Sequence, residues 1–85
     1  MITAAQMRAA RALAQIDQKT LAEIAGVSLP TIQRMEGSDG VVRANVDTLM
    51  KVVNALERSG IELIGANQTS EGGGRGVRLK EPGQK

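Results

Sequence analysis

The chain has 85 residues, enough for one small domain whose core takes only about 60% of the unfolded surface out of water. It has no Cys and no His, which excludes disulfides, the usual zinc ligand sets, Cys or Ser-His nucleophiles and the commonest proton shuttle; Asp and Glu are scattered singly, so neither an enzyme, a metal site nor a cofactor is expected. A surplus of 11 Lys+Arg over 9 Asp+Glu leaves a net charge of +2, which permits a polyanionic partner without announcing one, and the absence of Phe, Tyr and Trp removes the stacking platforms that single-stranded nucleic acids need.

In chain order, Thr3 followed by Gln6 has the form of a capping box and opens a helix over residues 4–15, with Met7, Ala10, Leu13 and Ala14 on one face. Arg8 and Arg11 interrupt the apolar pattern of this segment, unlike a signal peptide, and no apolar run approaches the ~20 residues that span a bilayer, so a cytoplasmic protein with no membrane partner is expected. Asp17 caps a second helix over 18–25, and Gly26 ends it where a positive φ is wanted. Ser28 caps a third helix that lasts to about residue 36, with Pro30 tolerated in its first turn. Turn residues at 37–40 open a loop reaching residue 44, Asn45 caps a fourth helix over 46–59 with Val46, Leu49, Val53 and Leu56 at helical spacing, and Gly60 stops it. Residues 61–64 and 77–79 read as short strands; the segment between them is a long hairpin loop or a disordered linker, and 81–85 form a tail. The organisation is therefore a helical unit over 1–59, a strand-loop-strand extension over 60–80 and a flexible end.

Residues 18–36 join two short helices through a glycine-containing turn, which is the helix-turn-helix unit. Leu21, Ala25, Val27, Ile32 and Met35 supply the inward faces, and Ala22 is small where the two axes must come close. That leaves Leu29, Pro30, Gln33 and Arg34 turned outward near the helix end that a recognition helix presents to base edges. Arg can grip guanine through two acceptors and Gln can do the same for adenine, each pair being worth roughly 1 to 3 kcal/mol of discrimination. The plain alternative, two ordinary solvated helix residues, is outweighed by the motif around them.

Residues 3 to 58, carried by "QKTLAEIAGVSLPTIQRMEG" and "ANVDTLMKVVNALE", resemble the lambda-repressor-like helix-turn-helix domains of the xenobiotic-response-element (XRE) type. The resemblance implies a mainly α fold, a four- to five-helix DNA-binding domain here extended by a short β-hairpin or strand pair. It also implies a bacterial, nucleoid-associated regulator that binds a palindromic double-stranded operator as a homodimer. On matching positions, Gln18, Arg43 and Asn45 are expected at DNA phosphates and Thr31 at phosphate or base, with Ser28 also placed among the phosphate contacts and Ser38 and Lys19 as weaker phosphate candidates. Arg11 and Glu36 stand where relatives pair an arginine late in the first helix with the glutamate ending the third, a structural ion pair.

An isolated hairpin is marginal in water, so Ile61, Leu63, Val77 and Leu79 are expected to pack on the fourth helix or to pair across a twofold axis with another chain. The sequence GGGRG lacks the Lys-Ser/Thr of a phosphate loop and any repeat, and reads as linker. From a different class stands a protein-binding module, an antitoxin or antiactivator whose main partner is another protein meeting the extension after residue 60.

Overall fold

A computed structural model describes residues 2–65 and 73–81 of the chain. Most of the expected connecting segment, 66–72, and the end of the tail, 82–85, lie outside the described residues. Four helices are followed by a two-stranded antiparallel sheet: α1 (Ala4–Ala14), α2 (Gln18–Ala25), α3 (Leu29–Glu36), α4 (Val46–Arg58), β1 (Ile61–Ile64) and β2 (Gly76–Leu79).

The ends of the helices follow from local chemistry. The Thr3 hydroxyl accepts from the Gln6 amide at 3.1 Å while the Gln6 side-chain oxygen accepts from the Thr3 amide at 2.9 Å, a reciprocal cap. Asp17, Ser28 and Asn45 each accept from the amide three residues on, at 2.7, 3.2 and 2.8 Å. The first two helices close in the same way: the amide two residues past the helix returns to the carbonyl five residues back, Ile16 to Arg11 at 3.1 Å and Val27 to Ala22 at 3.0 Å. Both closures need a left-handed residue, filled by Gly26 at φ 74° in the second case and by Gln15 at φ 59° in the first.

Met7, Leu21, Ile32, Met35, Val42, Val52, Leu56 and Ile61 are fully buried and make one core. α2 packs on α3 and α4, α1 on α3, and the hairpin covers α1 and α4. Two expected core positions lie outside it. Leu13 is exposed because the hairpin covers α1 near Gln6 and leaves the side of the helix two turns on uncovered; Val46, the first residue of α4, is 74% exposed and its place on the buried stripe is taken by Val52 and Ala55. Conversely, Ile2 and Val42, which no helical pattern marks, enter the core through a short antiparallel stitch in which the Val42 amide donates to the Ile2 carbonyl at 3.0 Å and Thr3 bridges Val41.

The strands pair within the chain, in the register Ile61↔Leu79, Glu62↔Arg78, Leu63↔Val77, Ile64↔Gly76, so β2 starts one residue before the expected strand. Ile61 is buried in the chain's own core, where β1 packs on α4, which is the first of the two expected arrangements and not a dimer contact. Leu63 and Val77 are half-buried against that core, and Leu79 is 51% exposed. The Gln6 side-chain amide fastens the hairpin to α1 by donating to the carbonyls of Ile64 at 2.9 Å and Gly76 at 3.0 Å. Among the described residues no helix is long and apolar enough to cross a membrane.

Candidate nucleic-acid interface

α3 packs on α1 and α2 and presents its other side to solvent. Ile32 and Met35 are buried, as is the Glu36 side chain, whereas Pro30, Gln33 and Arg34 are exposed and Leu29 and Thr31 half-buried. A helix of 8 residues is too short to be stable alone, so its orientation is set by its neighbours.

The strongest of these anchors is polar. The Glu36 carboxylate, 3% exposed, accepts from Arg11 Nε at 2.8 Å and Arg11 Nη2 at 2.9 Å, and from Gln18 Nε2 at 3.1 Å. Arg11 also reaches the Ile16 carbonyl at 3.3 Å, and Arg8 donates to the Glu36 backbone carbonyl at 2.6 Å. The end of α3 is thereby tied to α1 twice and to the start of α2 once. The hydrogen bond to Glu36 holds the Arg11 guanidinium in its charged form, raising its pKa against the opposing effect of burial. A buried carboxylate is tolerable only with such partners, and no buried side-chain polar atom among the described residues lacks one.

Other candidate residues differ in what they have left to offer a ligand. The Ser28 and Thr31 hydroxyls lie 2.8 Å apart at the start of α3, and Ser28 also takes the Thr31 amide. One hydroxyl proton lies between the two oxygens, so the other is available to an acceptor. Asn45 uses its carbonyl oxygen on the Thr48 amide, which leaves its side-chain NH2 group to donate. Arg43 and Lys19 are exposed. Ser38 donates to the Arg34 carbonyl at 3.4 Å and Gln18 is engaged by Glu36, so each has already given a hydrogen to the chain itself.

Gln33 and Arg34 therefore share the exposed side of α3 with Pro30, the Ser28–Thr31 hydroxyl pair caps its N-terminal end, and Arg43 and Asn45 belong to the loop leading into α4. Arg8 was not marked as functional by the sequence; its spacing of three from Arg11 places both on one side of α1, the only signal that the two act on one target. Gln6 was read as a cap alone, since nothing local reveals carbonyls 58 and 70 residues away. Compared with protein-family models and with curated proteins, the chain matches none.

Proposed function

We propose that the chain is a sequence-specific regulator that binds double-stranded DNA, of the XRE helix-turn-helix type, and that α3 enters the major groove. Leu29, Pro30, Gln33 and Arg34 read base edges; Ser28, Thr31, Arg43 and Asn45 hold phosphates, with Lys19 reinforcing them through charge. Gln18 and Ser38 act on α3 from within the protein, with their remaining hydrogen-bonding capacity turned to the backbone of the DNA. The observation that carries this reading is the contrast along one short helix: its apolar side and terminal glutamate are fixed by α1 and α2, while an amide and a guanidinium stand free on the other side. Pre-positioning of this kind removes part of the ordering cost of recognition.

The reading is tested by selecting bound duplexes from a random pool. Recovery of a common motif in two mirrored halves supports it; a pool that stays random after repeated rounds at low salt overturns it. A second reading, a module whose main partner is another protein, is favoured by the exposed apolar residues Val46, Met50 and Leu79. Because Ile61 belongs to the core, cutting the chain at residue 60 would open that core, so the two readings are separated by surface substitutions: loss of a protein partner with operator binding intact favours the second.

A further inference from the structure

The last turn of α3 has to find partners for the carbonyls of Gln33, Arg34, Met35 and Glu36, since no helix continues beyond them. The chain that follows answers the first three: the Gly37 amide donates to Gln33 at 3.0 Å, the Ser38 hydroxyl to Arg34 at 3.4 Å and the Ser38 amide to Met35 at 3.2 Å. The fourth is answered from another helix, by Arg8 Nη1 at 2.6 Å. The basic residue of that turn, Arg34, stands exposed on the reading side, so the negative end of α3 takes its charge-assisted bond from α1.

Arg8 differs from Arg11 in what it holds. Arg11 grips the Glu36 carboxylate, which hangs from the backbone on a flexible side chain, so that pair survives small shifts of α3 along or about its own axis. Arg8 grips the main chain of the same residue. One turn apart on α1, the two arginines fix two separate points of Glu36, and two points stop a rotation that one leaves free. α1 is itself firmly seated, with Met7 and Ala10 wholly buried and the reciprocal Thr3–Gln6 cap at its start. Gln33 and Arg34 lie within one turn of Glu36, about 3 to 4.5 Å along the axis. Any rotation at the gripped end therefore turns the reading pair with it.

We propose that Arg8 is a positioning residue for base recognition: it sets the rotation of α3 on which the contacts of Gln33 and Arg34 depend, without touching DNA itself. The inference rests on the DNA-binding reading and adds to it a residue outside the helix-turn-helix. Hydrogen bonds to base edges weaken steeply as their angles degrade, whereas attraction to phosphates falls off slowly with distance. A turned α3 therefore loses its preference among sequences before it loses its hold on DNA. The bond matters little to the fold, because Arg8 is exposed and water can replace it on the Glu36 carbonyl while the Arg11–Glu36 pair stays intact.

Binding of the full chain and of its Arg8→Met variant is compared on two duplexes, one selected by the wild type from a random pool and one scrambled. The ratio of the two affinities should fall roughly tenfold, the worth of one base contact at the lower end of its range. Binding to the scrambled duplex, and its salt dependence, should change little. Partial unfolding lowers affinity for both duplexes alike and leaves their ratio where it was, so the ratio separates positioning from mere stability. If Arg8→Met does not fold, Arg8→Gln, uncharged and too short to reach the carbonyl, serves in its place. An unchanged ratio overturns the proposal, and where both affinities also fall with a flatter salt dependence, Arg8 is a phosphate contact instead. A wild type that selects no duplex overturns the DNA reading and the positioning role together, whereas a wild type that selects a motif with a variant that keeps the ratio overturns the positioning role alone.

Discussion

The Arg11 guanidinium holds the Glu36 carboxylate through two bonds of 2.8 and 2.9 Å, joining the end of α1 to the end of α3. Removing Arg11 leaves the Glu36 carboxylate buried without its cation, so Arg11→Met should cost about 3 to 5 kcal/mol in urea unfolding, and Glu36→Leu, which strands a guanidinium that is 23% exposed, should cost less. Replacing both by apolar residues, Arg11→Met with Glu36→Leu, should cost clearly less than the sum. Full additivity in that double-mutant cycle would show that the pair does not act as a unit.

Gln6 fastens the hairpin. Gln6→Met keeps the length and apolar stem but supplies no donor to the Ile64 and Gly76 carbonyls, and should destabilise by about 1 to 3 kcal/mol. Hydrogen exchange should accelerate in β1 and β2 more than in α2 and α3. Uniform acceleration across the chain would remove the fastening role.

Gln15 ends α1 at φ 59°, a conformation that glycine adopts without a side-chain penalty. Gln15→Gly should stabilise by about 0.5 to 1 kcal/mol, whereas Gly26→Ala, at φ 74° with open space around the added carbon, should destabilise by a similar amount through the backbone alone. Thermal melts with midpoints moving in opposite directions would check the pair.

Asp17 predicts an acid dependence. Its pKa lies below the usual carboxylate value because the charged form accepts the Thr20 amide hydrogen bond at the start of α2. A group depressed in the folded state contributes fully above its unfolded pKa, about 3.9, and loses that contribution as the pH falls through the lower folded value. Asp17→Asn keeps a good cap that does not titrate. The stability gap between wild type and variant should therefore be constant from pH 8 to about 5 and shift against the wild type below that; a gap independent of pH throughout would refute the assignment. Arg11, whose pKa is raised, contributes below its already very basic unfolded value and adds no slope in this window.

On DNA, Arg34→Ala should lose preference at particular base pairs, by about 1 to 3 kcal/mol, whereas Arg43→Ala should weaken all sequences alike and flatten the dependence of affinity on salt by about one unit of slope. Equal loss on every sequence for Arg34→Ala would contradict its assignment to bases.

What was legible in the sequence is what local chemistry decides. Thr3, Asp17, Ser28 and Asn45 name the helix starts because each carries an oxygen that can reach an orphan amide, and Gly26 names the turn because its conformation excludes most residues. The buried side of α3 was legible for the same reason, since Ile32 and Met35 are three apart. Side chains whose environment depends on distant elements were not: Leu13 follows the helical period of α1 yet lies where the hairpin does not reach, and Val46 follows that of α4 one turn beyond its cover. Val42 shows the converse, a loop residue drawn into the core by pairing next to Ile2. Arg8 and Gln6 escaped because their partners are carbonyls, which every residue has and no sequence pattern distinguishes.

The stitch between Ile2 and Val42 carries a practical corollary. Ile2 lends its carbonyl to the loop that holds Arg43 and buries its side chain in the core, so a change at that end of the chain is coupled to the loop through that backbone bond. Comparing protein with and without an affinity tag ahead of Ile2 keeps a purification artefact from passing for a defect in the proposed DNA binding.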